Sequence, residues 1–324
     1  AAASILLAVP ENSAPGTSVG SPVLAFDVDS DAKWNVITYT MAGTRGFEVN
    51  ASTAQISVAA SGLTLDFEAT NEFNFELIAT DSGGESSEIA VNVQLTDVNE
   101  RPTFTANSFS VVENSPANSD VGDSLKTSVM DPEQGKLNFQ LVGASSMFAI
   151  DSCSGQISTL TNRLDFEQVA TYSLTVRVDD DGTPPLYMTA TVSINVLNVN
   201  EPPVIQTANV HLPENSAVGT VLPDAVNATD PDINTNVPSL DEPDWRDLTF
   251  SITSGNSWTN PKTDVVFNEV FSVNPVSGAL SVRNPAVLDY EMILVFSLTV
   301  AVVDSGPNSA SCCVSSSSSA CACT

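Results

Sequence analysis

Apolar and polar residues alternate along much of this chain, in runs too short for helices. Phe73, Phe75 and Leu77 are separated by Asn74 and Glu76, and Ile89, Val91, Val93 and Leu95 alternate with Ala90, Asn92 and Gln94. A period of two sends successive side chains to opposite faces of a strand, so one face is buried and the other wet. Over the first hundred residues the pattern predicts strands at about 5–9, 22–26, 36–41, 47–49, 55–58, 73–79 and 88–95, with polar or glycine-containing turns between them. Seven such strands in that length predict an all-β, Greek-key sandwich of immunoglobulin-like build, with no helix longer than a turn or two.

The pattern repeats. Val9-Pro10-Glu11-Asn12-Ser13, Val112-Glu113-Asn114-Ser115 and Leu212-Pro213-Glu214-Asn215-Ser216 place their glutamates about 100 residues apart. Leu65-Asp66-Phe67-Glu68, Leu164-Asp165-Phe166-Glu167 and Leu288-Asp289-Tyr290-Glu291 follow in the same order. An acid pair after the second strand recurs as Asp27 and Asp29, Asp131 and Glu133, and Asp230 and Asp232. A last acid, at Asp81, Asp180 or Asp304, ends an alternating strand. Self-similarity at a fixed period means tandem domains. Their expected bounds are 1–99, 100–201 and 202–324. Between them run Thr96-Asp97-Val98-Asn99-Glu100-Arg101-Pro102 and Leu197-Asn198-Val199-Asn200-Glu201-Pro202-Pro203, each a short acidic stretch closed by proline, which blocks both helix and central strand.

Charge narrows the function. The 324 residues hold 39 acids against 10 Lys and Arg, a formal charge of −29, which argues against nucleic acid and anionic membrane as partners. Only 15% of residues are charged, so the acidity is concentrated in motifs rather than spread over a solvated tail. Neither a run of 18 apolar residues nor a charged-then-apolar leader is present, so a mature or excised ectodomain is expected. The single histidine, His211, expected on a surface or edge strand, leaves zinc sites and histidine-dependent catalysis without parts. Asp66 and Glu68 resemble a glycosidase pair, but no aromatic-lined cleft accompanies them. An enzyme is therefore not expected.

The third repeat departs from the others. From Asp230 to Asp289 is 59 positions, against 39 from Asp27 to Asp66 and 34 from Asp131 to Asp165, so about 20 residues are inserted on either side of Leu248–Ile252. Trp245 and Trp258 lie in these inserts, as covers for the top of the sandwich or as partner contacts. A last strand is expected at about 311–319, where Ser311-Cys312-Cys313-Val314 runs into serines. Either that strand is weak, or a neighbouring chain completes it, or the stretch departs from the natural sequence. Cys312, Cys313, Cys321 and Cys323 crowd here while Cys153 stands alone; an odd total leaves a free thiol or an intermolecular disulfide. Sequons at Asn50 and Asn227 fit a secretory glycoprotein.

Together the Pro-Glu-Asn turn, the Leu-Asp-Phe-Glu loop, the Ala79-Thr80-Asp81 strand end, the acid pairs and the Asp97-to-Pro102 linker resemble the extracellular cadherin repeat over nearly the whole chain, in the style of long, many-repeat cadherins. The resemblance implies up to three Ca²⁺ ions in each linker. Physical chemistry points the same way, because Ca²⁺ takes six to eight oxygens and no single motif offers that many. At the first junction the implied ligands are Glu11, Asp66 and Glu68, then Asp97, Asn99 and Glu100, then Asp131, Glu133 and Asp180, with the carbonyls of Val98 and Arg101. At the second they are Glu113, Asp165, Glu167, Asn198, Asn200, Glu201, Asp230, Asp232 and Asp304. Glu133 stands where the family has aspartate, and Asn198 removes one formal charge. Two half-sites are left over: Asp27, Asp29 and Asp81, and Glu214, Asp289 and Glu291.

The expected role is a calcium-stiffened extracellular rod, structural or adhesive, whose partners are other copies or related cadherin-like proteins. The alternatives are a homopolymeric surface filament, which the terminal cysteines and half-sites suggest, and the non-catalytic stalk of a larger surface enzyme or receptor. Strand-swapping adhesion is not expected, since Ala1-Ala2-Ala3-Ser4-Ile5 carries no tryptophan.

Overall fold

The computed structural model describes residues 4–28, 36–43, 46–60, 63–207, 209–222, 226–232, 247–305 and 311–315. Strands dominate, and the described helical segments are the 3-10 turns Leu125–Ser128 and Pro285–Val287.

In the first repeat Ser4–Pro10, Ser86–Thr96, Glu72–Thr80 and Thr38–Ala42 form one sheet in that spatial order, facing the pair Phe47–Val49 and Ile56–Val58. The first strand runs parallel to the last, with Val9 beside Leu95, which closes the sandwich without a hairpin. Phe75, Leu77, Val91, Val93 and Leu95 point inward and meet Val9, Tyr39 and Phe47 in one core, as the alternation predicts. The second repeat copies this plan. Asn138–Leu141, Thr171–Asp179, Tyr187–Leu197 and Asn107–Val112 form one sheet, and Phe148–Ile150, Ile157–Thr159 and Asp120–Val121 the other. Its core is the most complete, with Val121, Leu125, Ile157, Leu164, Val176 and Ile194 at 0% exposure.

One expected strand does not form. Residues 22–26 run without a ladder and leave Phe26 exposed; the chain is held by the Ala25 amide donating to Tyr39 Oη at 2.8 Å. In the second repeat the counterpart Val129–Met130 pairs with Thr103–Phe104, and in the third Val226–Thr229 pairs with Val204–Thr207. The partner segment of the first repeat would fall at 1–3, outside the described residues.

The third repeat is thinner. Thr249–Ser254, Thr299–Val303 and Ser311–Ser315 make one sheet, Val221–Leu222, Leu280–Val282 and Phe271–Val273 another. The last strand forms at Ser311–Ser315, with Cys312 beside Val302. In the other repeats the parallel first strand lies along the second half of the last strand; here that half falls beyond Ser315, outside the described residues. Residues 209–213 adopt no strand, and His211 is exposed but not in the strand expected for it. The second insert folds into a hairpin, Ser257–Thr259 with Val266–Asn268. Its Trp258 stacks on Phe267 at 5.9 Å and packs against the core around Leu222 and Phe271, so it covers the sandwich. Trp245, Cys321 and Cys323 lie outside the described residues, as do the side chains of Cys312 and Cys313; Cys153 is an exposed free thiol.

Candidate metal centres

Each acidic cluster is built on the Glu-Asn turn, preceded by Pro10, Val112 or Pro213. Asn12, Asn114 and Asn215 occupy the left-handed region at φ 55°, 55° and 59°, which asparagine tolerates better than most residues. Their backbone amides donate to the carbonyls of Leu65, Leu164 and Leu288, each at 2.9 Å, stitching the turn to the Leu-Asp-aromatic-Glu loop. Ser13 and Ser115 lock the turn by donating to Pro10 and Val112 carbonyls at 2.6 Å. In the first two repeats the preceding glutamate is buried, whereas Glu214 in the third stays exposed.

Glu11 is 2% exposed, and its carboxylate accepts from the Phe67 amide at 2.7 Å and the Val98 amide at 2.8 Å. Glu113 repeats this with Phe166 at 2.9 Å and Val199 at 2.7 Å. One buried carboxylate thus ties its own loop to the following linker, twice. Glu214 accepts from Tyr290 at 3.0 Å in the same way.

At the first junction, Glu11, Asp66 and Glu68 bring one oxygen each within 4.8 Å of one another, as do Glu68, Asp97 and Glu133. Glu133 belongs to the second repeat, so the second group spans both repeats and the linker. Glu133 also accepts from the Glu100 amide at 2.6 Å and is held near Asp131. Asn99 donates to Asp180 at 3.2 Å and to the Pro184 carbonyl at 2.9 Å. Asn99 packs so close to Gly182 that a Cβ there would sit 1.7 Å from it, so a side chain at 182 would push the linker away. Five of the nine expected residues gather in these two groups, and Asn99, Glu100, Asp131 and Asp180 lie around them through the contacts just given.

At the second junction Glu113, Glu167 and Glu201 form the corresponding group within 4.8 Å. The Glu201 amide donates to Asp232 at 2.8 Å, the Asp232 amide to Asp230 at 2.9 Å, and Asn200 to Asp304 at 3.0 Å. The Asn198 side chain lies beside Asp232 and favours its ionised form. Asp165 does not join: its oxygens accept from the Gln168 backbone at 2.8 Å and the Gln168 side-chain amide at 2.7 Å. In the first repeat Ala69 occupies the matching position, and Asp66, which accepts from the Ala69 amide at 2.8 Å, stays in its group.

Burial and mutual repulsion disfavour ionisation here. Desolvation first, then the charge of Glu113, pushes Glu167 up to about 7. Desolvation, then the neighbouring Asp232 and Asp304, pushes Asp230 up to about 6. Burial likewise raises Glu68, Glu113, Glu133 and Asp232. Several buried oxygens, among them Asp131 Oδ1, Glu133 Oε2, Asn198 Oδ1, Asn200 Oδ1, Asp230 Oδ2 and Asp232 Oδ1, have no hydrogen-bond partner among the described residues. Such atoms call for a compensating group. All are oxygens, the donor type that a hard divalent cation takes.

Of the leftover half-sites, Glu214, Asp289 and Glu291 do gather within 4.8 Å, two of them exposed. Asp27 and Asp81 form no such group among the described residues, and Asp29 lies outside them. Sequence reasoning overlooked the amides of Asn12 and Asn114, which donate to Glu100 at 2.6 Å and Glu201 at 2.7 Å. Their threefold recurrence beside the glutamate was the available signal.

Greek-key sandwiches in tandem, with carboxylate clusters shared across each seam, define a modular β-repeat protein whose linkers are suited to cations. The cadherin-domain family model matches residues 6–96, 107–197 and 208–316, and the chain belongs to the cadherin family. It is 31% identical over 316 residues to cadherin-23 of Rattus norvegicus, a match covering 91% of this chain and 9% of that protein. It is 32% identical to human protocadherin-7, covering 93% of this chain and 27% of that one. The chain therefore spans about a tenth to a quarter of these relatives. Mouse cadherin-23 EC22-24 has the same fold, with a TM-score of 0.66 at 24% identity over 96% of this chain and 93% of that chain. Protocadherin gammaB7 EC3-6, solved as a cis-dimer, gives a TM-score of 0.63 at 28% identity over 96% and 71%.

Proposed function

We propose that this chain is a calcium-stiffened extracellular rod of three cadherin repeats, 1–99, 100–201 and 202–324, with a structural or adhesive and non-catalytic role. The reading is supported by one observation: a carboxylate group spans both repeats and the linker at the first seam, the Glu113, Glu167 and Glu201 group is tied to Asp232 of the third repeat at the second, and buried oxygens at both lack hydrogen-bond partners among the described residues. When bound, Ca²⁺ supplies the positive charge that offsets repulsion among these groups. At the first junction Glu11, Asp66, Glu68, Asp97 and Glu133 are placed to bind it, with Asn99, Glu100, Asp131 and Asp180 completing the shell. At the second, Glu113, Glu167 and Glu201 do so with Asn198, Asn200, Asp230, Asp232 and Asp304, while Asp165 must first release Gln168. The acids are engaged by backbone amides at domain seams instead of flanking a cleft, which supports a mechanical role over a catalytic one.

Other cadherin repeats are the proposed partners, in line with the cis-dimeric relative. The exposed cluster Glu214, Asp289 and Glu291 supports a second reading, a filament or longer array in which another domain completes the shell. Small-angle scattering tests the primary reading. The expected particle is longer and stiffer in millimolar Ca²⁺ than in chelator, and identical profiles would rule out the rod. Electron microscopy of native material separates isolated rods from filaments.

A further inference from the structure

The linker glutamates are held from both sides before any cation is considered. Asn12 Nδ2 of the first repeat donates to Glu100 Oε1 at 2.6 Å, and the Glu100 amide donates to Glu133 Oε1 of the second repeat at 2.6 Å. The same two-step path recurs at the next seam, from Asn114 to Glu201 Oε1 at 2.7 Å and from the Glu201 amide to Asp232 Oδ2 at 2.8 Å. The seam-crossing partner changes from glutamate to aspartate while the path is kept.

We infer that Asn12 and Asn114 are positioning residues: each forms with the linker glutamate a hydrogen-bonded relay that joins consecutive repeats without an ion and pre-sets that glutamate's rotamer. Three features carry this. The left-handed turn aims the asparagine side chain at the linker, since its own backbone amide is fixed to the Leu65 or Leu164 carbonyl. The acceptor is a carboxylate, so the bond is charge-assisted. Amide donation engages one oxygen of Glu100 or Glu201 and leaves the other for a cation. The relay lowers the entropy lost on ion binding, because the side chain is already ordered. Asparagine suits the position doubly: it accepts positive φ, and it donates where aspartate would repel.

This inference deepens the calcium reading and rests on it for affinity, but the relay itself is tested without calcium. Asn12→Gly keeps the left-handed backbone and removes the amide. In chelator, residual dipolar couplings should show the first two repeats sampling a wider range of orientations in this variant than in the native chain. With calcium, affinity at the first junction should fall about three- to tenfold, the scale of one charge-assisted hydrogen bond at a partly exposed site. Asn12→Asp should bind more weakly still; tighter binding would make position 12 an ion ligand and overturn the relay. Asn118→Gly, another left-handed asparagine at φ 66° in a turn of the second repeat, is the control that should change neither readout.

The Asn12 side-chain amide resonances in chelator give an independent check. They should move toward solvent values in Glu100→Ala, and identical resonances in the two proteins would overturn the relay. If Glu100→Ala weakens calcium binding while Asn12→Gly changes nothing, the relay fails and the calcium reading stands. If the native chain itself binds no calcium while the Asn12 resonances shift in Glu100→Ala, the calcium reading fails and the relay stands.

Discussion

The two junctions carry almost the same residues and yet differ in depth. The first gathers eight carboxylates with Asn99; the second has seven, with Asn198 and Asn200. Charge count alone would make the first the more strained. The structure reverses that order, because Asp230 and Asp232 are only 6% and 9% exposed whereas their counterparts Asp131 and Glu133 are half-buried; the matching Asp180 and Asp304 are both buried. Desolvation heads the causes at Glu167 and Asp230, and these two rise to about 7 and about 6. Burial, more than the number of like charges, decides how strongly a cation is wanted.

Removing a linker glutamate should have the largest effect and separates the two sites. Glu201 lies in the second junction's close triad, while Glu100 touches its site through its backbone and Asn12. Replacing Glu201 by Ala should weaken calcium binding at its seam about 100-fold, and Glu100→Ala at its own about tenfold, by analogy with losing a ligand or its support. Calorimetric titration measures both, with Glu48→Ala as the reference outside the motifs. Equal losses would erase the difference in depth.

The pH response should be smaller and opposite in sign with and without the ion. Glu167 and Asp230 titrate at about 7 and about 6 when folded, above their ordinary values of 4.5 and 3.8. The ion-free folded state therefore holds more protons than the unfolded chain across that interval, so its stability rises as pH falls from about 7 toward 4. In chelator the thermal midpoint should be higher at pH 5 than at pH 8. Calcium must displace those protons, so its affinity should climb from pH 5 to pH 8. A chelator midpoint that rises with pH would show that these carboxylates are not desolvated.

Two substitutions should make the second junction more like the first, by small amounts. Gln168→Ala releases Asp165 from the side-chain amide and should tighten calcium binding about twofold to fivefold, the worth of one partly exposed hydrogen bond. Asn198→Asp restores a charge beside Asp232 and should tighten binding similarly, while lowering the ion-free melting temperature through repulsion. A Gln168→Ala protein with native affinity would mean that Asp165 stays outside the site.

The sequence made the acidic clusters legible because each motif is local: turn, loop and linker recur as contiguous strings, and recurrence distinguishes them from scattered surface acids. It misjudged 22–26, where alternation alone promised a strand. Leu24 and Phe26 have the right residue types, but an edge strand exists only if a neighbour supplies the other half of its ladder. Gln168 was passed over because its effect lies in a side-chain amide reaching back three residues to Asp165.

The sequence by itself determined three sandwiches, their order and the oxygens available at each linker, since hydrophobic period and motif spacing are properties of the chain. Tertiary structure alone decided which of those oxygens share a seam, how dry the seam is, and that Asn12 and Asn114 bridge it. Those outcomes depend on the distance and dielectric between residues about 90 positions apart, such as Asn12 and Glu100, which only the packing of one repeat against its linker and the next can set.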